Sequence, residues 1–177
     1  MRKIASSIAT KAVARPIVSS SHLVSPRSKE TSELEFGMII AWNAFSRWAI
    51  RCMAAAGVPD LTITDVLILH HVNHRARNKK LADICFVLNY EDTHVVAYSL
   101  KKLMGADLVQ AAKFGKEVLY APTAQGEAAI ARYREVREQC LIGNLDAELN
   151  DNIGEVARTL RTMSGQYDQA ARSATSL

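Results

Sequence analysis

Apolar residues recur with a helical period from residue 32 to residue 56, and they cover more than one side of the predicted helix. Ser32 and Glu35 have the S-x-x-E spacing of a capping box, which predicts that the helix begins there. Gly57 and Pro59 should end it. A helix this apolar needs cover on several faces. Either it is central to the monomer, or a second copy of the chain supplies the cover.

Three further helices follow. Thr62 and Asp65 form another capping-box-like pair at the start of the first one. Either Asn89 or Asp92 caps the third, and Gly105 terminates it. The predicted ranges are about 62–74, 78–88 and 90–104.

The hydrophobic period changes after residue 107. The segment "LVQAAKFGKEVLYAPT" predicts two short strands that form a hairpin around Phe114 and Gly115. A helical period returns at Thr123 and continues to about Ile142, and a last helix is predicted from about Asn152 to Tyr167. The expected class is therefore mainly α with a small β-hairpin (α+β).

Charge divides the chain into two parts. The 177 residues carry a net charge of +4, and 49% of them are apolar, which is ordinary for a soluble domain with a core. Six basic residues and one acidic residue lie within positions 1–30, so residues 31–177 hold sixteen basic and seventeen acidic side chains. We expect a flexible basic arm over 1–30, followed by one near-neutral domain over 31–177. Bulk charge therefore says little about partners.

The three cysteines are far apart, and each has apolar residues near it in the sequence. This pattern favours reduced core thiols of a cytoplasmic protein over a disulfide framework, and we predict that Cys52, Cys85 and Cys140 are structural. Asn43, Arg47 and Arg51 interrupt the most apolar stretch, so no membrane span is expected.

Three helices followed by a hairpin are typical of a winged helix-turn-helix, in which the third helix lies in the DNA major groove. The segment "LADICFVLNYEDTHVVAYSLKKLMGADLV" resembles the helix-turn-helix of bacterial MarR-type transcription regulators, with a Leu-Ala start, a polar turn and a closing Leu-Val. "LTITDVLIL" resembles the preceding helix of that family, and "LYAPTAQGEAAI" resembles its strand leading into a helix. The resemblance extends over residues 32–167.

The resemblance implies a winged helix with flanking N- and C-terminal dimerisation helices. Residues 61–122 would form the DNA-binding core, while 32–56 and 123–167 would pair with a second copy. The implied function is that of a homodimeric regulator, usually a repressor, which binds a pseudo-palindromic operator in double-stranded DNA and is often released by a small-molecule effector or by thiol oxidation.

Apolar spacing orients the predicted recognition helix. Val96, Leu100 and Leu103 stand at i, i+4 and i+7, so their face should turn to the core. Thr93 and His94 are then candidates for base edges, and Tyr98 and Lys101 for phosphates. The alternative is a merely solvated polar face. The residues left toward solvent or DNA are Thr93, His94, Ala97, Tyr98, Lys101 and Lys102.

Basic residues flank this helix on both sides. Lys113 and Lys116 lie in a short wing that lacks the family's acidic and arginine-bearing tip, so phosphate contacts are expected of them. Arg75, Arg77, Lys79 and Lys80 lie where the family passes the DNA backbone, so phosphate contacts are expected of some of them. His70 and His74 have the i, i+4 spacing of metal ligands, but nothing nearby completes a set of three.

No sequence feature points to catalysis or a cofactor, because the chain has no phosphate loop, no nucleophile elbow and no paired carboxylates with a base. Three functions remain: a DNA-binding transcription regulator, a winged-helix module that binds another protein instead of DNA, and, less favoured, a ligand-binding dimer with vestigial DNA contacts. The near-neutral domain keeps the second open.

Overall fold

A computed structural model describes residues 25–177 of the chain. The helices and strands of this region are α1 Lys29–Ala55, α2 Ile63–Asn73, β1 Lys79–Lys80, α3 Leu81–Leu88, α4 Thr93–Gly105, β2 Val109–Phe114, β3 Glu117–Pro122, α5 Ala124–Cys140 and α6 Ala147–Ala174. Short 3₁₀ turns at His74–Ala76 and Ile142–Asn144 follow α2 and α5. The predicted class, mainly α with a small antiparallel sheet, is confirmed.

The described residues fall into two compact units, one ending at Trp48 and the other comprising Ala49–Leu177. The first unit contains α1 as far as Trp48. The second contains all the other helices and strands. The predicted basic arm, 1–30, lies almost entirely outside the described residues.

Local side-chain caps begin several helices where the sequence predicts them. Thr62 and Asp65 form the predicted capping box of α2, in which the Thr62 amide donates to Asp65 Oδ2 at 2.8 Å. Asp92 caps α4 by accepting from the His94 amide at 2.8 Å. Asn89 instead adopts a left-handed conformation (φ 56°) at the end of α3. Of the two candidate caps, Asp92 is therefore the one that starts α4.

The predicted start of α1 is wrong. The helix begins at Lys29, and the Ser28 hydroxyl accepts a hydrogen bond from the Thr31 amide at 3.3 Å. Ser32 lies inside the first turns and is 6% exposed. The S-x-x-E spacing of Ser32 and Glu35 therefore does not mark the helix start, because Ser28 already supplies an acceptor one turn earlier.

The sheet has three strands in the order β1-β3-β2, all antiparallel. The hairpin of β2 and β3 closes with Phe114 opposite Glu117, and Gly115 takes the positive φ of 61° that the turn requires. β1 is an addition to the predicted hairpin, since Lys79 pairs with Tyr120. The helix predicted from about residue 78 therefore starts at Leu81, after a strand that pairs some forty residues along the chain.

The core of the second unit forms around α2, which contacts α3, α4, α5 and β3. α5 approaches the backbone before β2 so closely that a Cβ on Gly126 would lie 2.0 Å from the Leu108 carbonyl oxygen. A glycine is therefore required at that position. The buried apolar side chains include Val66, Ile68, Leu69, Val72, Ile84, Val96, Leu100, Leu103, Leu108, Val109 and Ile130.

The cysteines do not share one environment. Cys52 and Cys85 are buried, and burial raises the pKa of both thiols, which suits structural residues. Cys52 Sγ donates to the Tyr133 carbonyl oxygen at 3.5 Å. Cys140 is exposed, so its prediction as a core thiol is wrong. It is the last residue of α5, where apolar neighbours in sequence do not imply burial.

Candidate nucleic-acid interface

A polar stripe runs along the outer face of α4, opposite the face that is buried. Val96, Leu100 and Leu103 are at most 1% exposed, which confirms the predicted core face. His94, Tyr98 and Lys101 lie on the exposed side at i, i+4 and i+7, which places them on one face of the helix. We call His94, Tyr98 and Lys101 the α4 stripe.

Thr93 and Ala97 border the stripe. Thr93 is exposed in the first turn of α4, and Ala97 is partly buried. The first turn carries the unpaired amides and the positive end of the helix dipole, an arrangement that favours a neighbouring anion. The structure therefore brings five of the predicted residues together on one side of α4.

Lys102 does not belong to this surface. Its Nζ lies 2.8 Å from Asp65 Oδ2 and donates to the Asp60 carbonyl oxygen at 2.7 Å. It therefore points back toward the start of α2, away from the stripe. The prediction of Lys102 as a DNA ligand does not fit this geometry, because its charge is already paired.

Asp65 is the centre of that pairing and is 2% exposed. Besides Lys102, the Ser99 hydroxyl and the Thr62 amide donate hydrogen bonds to its carboxylate. Its own amide donates to the Thr62 hydroxyl. Burial acts to raise the pKa of the Asp65 carboxyl, but the hydrogen bonds from Lys102, Ser99 and Thr62 outweigh it and hold the pKa below its usual value. This network ties α4 to α2 and so fixes the orientation of the α4 stripe.

The wing presents two exposed lysines beside its tip. Lys113 lies in β2 opposite Val118, and Lys116 lies in the turn. Phe114, between them, is 74% exposed. Lys80 is also exposed, but its Nζ forms an ion pair with Glu117 at 2.6 Å, so only part of its charge remains for another anion.

Lys79 is buried, contrary to its predicted place on a DNA-facing surface. It is 3% exposed, and its Nζ donates to the carbonyl oxygens of His74 at 2.6 Å and Arg77 at 3.0 Å. The pairing of β1 with β3 fixes its backbone and turns this side chain inward.

The helices and wing described above coincide with a known type of domain. A family model described as a winged helix DNA-binding domain matches residues 61–126, the stretch from the start of α2 to the start of α5. Comparison with curated proteins by sequence gives no match.

Several solved structures share the fold over about three quarters of the chain. AbfR of Staphylococcus epidermidis is 16% identical, with a TM-score of 0.64 over 77% of this chain and 92% of that one. A MarR-family transcriptional regulator from Rhodococcus sp. RHA1 is 14% identical, with a TM-score of 0.57 over 76% and 94%. Wild-type MarR from E. coli is 16% identical, with a TM-score of 0.55 over 72% and 96%.

The chain has a winged helix fold, which it shares with solved structures of MarR-family regulators. Within it, α3 and α4 are the helix-turn-helix, and β2 and β3 are the wing. The resemblance of "LADICFVLNYEDTHVVAYSLKKLMGADLV" to the MarR-type helix-turn-helix is confirmed as a shared fold. The structural neighbours that are described by their role are transcriptional regulators and not enzymes.

Two features of this winged helix are absent from the sequence-based prediction. One is the network of Asp65 and Ser99 beneath α4. The capping box predicted the contact of Asp65 with Thr62, but not its contacts with residues of α4. The other is a pair of exposed apolar residues in α3, Phe86 at 87% and Val87 at 59%. The pattern "ICFVL" is uniformly apolar, so nothing in it shows which two residues face outward.

The histidine-rich segment forms the end of α2 and the turn that follows it. His70 and His71 lie in the last turn of α2, and His70 packs edge-on against Tyr133 with ring centroids 4.4 Å apart. Among the side chains that the structure describes, no group of three His, Cys, Asp or Glu residues is close enough to hold a metal ion. In the same region, no helix is long and apolar enough to cross a membrane.

Proposed function

We propose that this chain is a homodimeric, sequence-specific DNA-binding transcription regulator that acts on a pseudo-palindromic operator as a repressor. The observation that carries the proposal is the α4 stripe, an exposed polar face on the recognition helix of a winged helix fold. A helix in this position enters the major groove in the docking mode of such folds.

In this proposal the stripe and its border divide the work of recognition. His94 and Thr93, in the first turn, reach base edges, while Tyr98 and Lys101 contact phosphates along the groove. Ala97 can approach the methyl group of a thymine. Lys79 and Lys102 take no part, since one is buried and the other is paired.

The wing contributes backbone contacts. Lys113 and Lys116 are exposed and can neutralise phosphates beside the site that α4 reads. Lys80 adds less, because Glu117 competes for its ammonium group. Such contacts set register and affinity but do not read sequence.

Exposed apolar rows on two helices support the dimer, each considered by itself. In α6, Leu149, Ile153, Val156 and Leu160 recur at helical spacing and are 38–56% exposed. In the first unit, α1 exposes Ile39, Ile40, Trp42 and Phe45 at 44–59%. Rows of this kind are expensive to leave in water, and a second copy of the chain would cover them. An isologous dimer would also match a two-fold operator.

Phe86 and Val87 favour a second candidate, a winged-helix module that binds another protein. An exposed apolar pair on α3 suits a protein partner better than a phosphate backbone. This protein-binding function ranks second, because it leaves the α4 stripe without a role.

Selection of bound fragments from genomic DNA at moderate salt tests both candidates. Enrichment of one pseudo-palindrome is expected, and that operator can then be titrated beside a scrambled duplex. His94→Ala or Thr93→Ala should reduce the difference in binding free energy between the operator and the scrambled duplex. The reduction should be about 1–3 kcal/mol for each hydrogen bond to a base edge that the substitution removes. Lys116→Ala should weaken the binding of both duplexes by the same factor. If none of the three folded variants alters either affinity, the α4 stripe does not read DNA and the protein-binding alternative is the better account.

A further inference from the structure

A cavity of about 260 Å³ opens between the end of α2, the turn that follows it, β1 and α3. It is far larger than the space of about 15 Å³ that one water molecule needs. Its lining combines five basic side chains with one carboxylate and one apolar residue: His71, His74, Arg75, Arg77, Lys79, Asp83 and Val87. We call it the α2–α3 cavity. It lies apart from the α4 stripe, none of whose residues lines it.

The charges that line this cavity are unbalanced. Arg75, Arg77 and Lys79 are cationic, whereas Asp83 is the one acidic residue of the lining. Asp83 Oδ2 also accepts from the Lys80 amide at the start of α3, so part of its charge is already engaged. A net positive charge surrounds a partly enclosed space, and this strengthens its attraction for an anion relative to open water.

Lys79 is the most constrained of these cations. The residue is 3% exposed and its ammonium group donates to two carbonyl oxygens, and among the side chains that the structure describes no carboxylate lies within ion-pair distance of it. A buried charge without a counter-ion is costly. Burial lowers the pKa of Lys79, and the neighbouring Arg77 and Arg75 lower it further, which reflects the same positive surroundings.

His71 supplies a second, independent sign of a missing ligand. Its Nε2 atom is buried and has no hydrogen-bond partner among the described residues. Such an atom is rare unless a water molecule or a ligand satisfies it. An oxyanion in the cavity could accept a hydrogen bond from this nitrogen.

We propose that the α2–α3 cavity binds a small oxyanion, a phosphate or carboxylate group. Arg77 and Arg75 would hold its oxygens at the mouth, His71 would donate to it inside, and Lys79 would supply charge from the base. The site adjoins α3, the first helix of the helix-turn-helix, so its occupation would stabilise the position of that helix. The inference rests on the cavity and not on the proposed DNA-binding function.

Isothermal titration of the full-length chain with inorganic phosphate, at constant ionic strength in chloride, tests the site. One saturable site per chain is expected. Arg77→Gln should weaken phosphate binding about tenfold or more, because it removes a charge-assisted hydrogen bond. Arg134→Gln is the matched control, since it removes the same charge from the exposed surface of α5 and should leave phosphate affinity unchanged.

A second measurement does not depend on any variant. The imidazole signal of His71 in a nitrogen–proton NMR spectrum should shift with phosphate concentration, while that of His94 on α4 should not. The proposal is overturned if phosphate does not saturate, or if Arg77→Gln and Arg134→Gln weaken it equally.

A DNA titration of the same variants distinguishes a free anion from a phosphate of the DNA backbone as the ligand of these cations. If Arg77→Gln leaves phosphate binding intact but weakens duplex binding, these cations contact the DNA backbone and the small-anion site is refuted. If phosphate binding is abolished while duplex affinity in phosphate-free buffer is unchanged, the free anion is the ligand. A failure of the α4 variants to alter DNA binding would leave this result untouched.

Discussion

Lys101 and Lys102 of α4 are adjacent and carry the same charge, yet we expect their substitution to change different properties of the protein. Lys101 is exposed on the α4 stripe. Lys102 is paired with Asp65, whose side chain is 3% exposed. Lys102→Met should therefore lower the free energy of unfolding, whereas Lys101→Met should lower affinity for DNA.

The geometry of the pair sets the magnitude. Removing one partner of a buried ion pair costs about 3–5 kcal/mol, whereas an exposed pair is worth about 0–1 kcal/mol. The Lys102 side chain is 35% exposed, so water screens it in part, and Asp65 keeps its bonds with Ser99 and Thr62. We expect Lys102→Met to cost about 2 kcal/mol, between those two limits. Lys101→Met should stay within about 0.5 kcal/mol of the parent, as an exposed substitution does.

The assay is urea unfolding followed by circular dichroism, with all variants at one chain concentration because a dimer would make the midpoint concentration-dependent. DNA affinity is measured on the same samples at several salt concentrations. Lys101→Met should reduce the salt slope by about 0.9 if it neutralises one phosphate. Equal stability of the two variants would refute the Asp65 network as a stabilising tie between α2 and α4.

The pH dependence of the same pair supplies a check. The pKa of Asp65 in the folded protein lies below its usual value, so the network contributes stability at neutral pH that disappears as pH falls through the folded pKa. The difference between the parent and Lys102→Met should thus be full at neutral pH and shrink below about pH 4, where the carboxyl begins to protonate in the unfolded chain. A difference that is independent of pH would show that weaker packing, and not charge pairing, causes the destabilisation.

Three other measurements follow from the structure. Burial lowers the pKa of His70, so stability should fall as pH drops below about 6.5, and His70→Phe, which keeps a ring against Tyr133, should reduce that fall in urea titrations at about pH 7.5 and about pH 5.5. Gly126→Ala should destabilise the fold strongly, by about 2 kcal/mol or more, because its Cβ would meet the Leu108 carbonyl oxygen; an unchanged melting temperature would contradict the close packing of α5. Sedimentation at micromolar concentration should show twice the chain mass, which Ile153→Glu in α6 should reduce toward the monomer while the exposed change Ala112→Glu in β2, outside the predicted dimerisation helices, does not.

Several local features could be predicted from the sequence, although the start of α1 was not. The capping box of Thr62 and Asp65, the Asp92 cap and the turn at Gly115 all join atoms only a few residues apart, so the local pattern contains the interaction. The buried face of α4 was predictable for the same reason, since Val96 and Leu100 obey a helical period. The succession of such elements was sufficient for the winged helix fold.

The fate of individual charged and thiol side chains was decided only by the tertiary structure. Lys79 is buried because β1 pairs with a strand some forty residues later, and Lys102 is engaged because the start of α2 lies beneath α4. Cys140 has apolar neighbours along the chain but none that cover it in space. In each case the deciding contact joins residues distant in sequence, or is missing where sequence neighbours imply it, and a pattern along the chain does not contain that information.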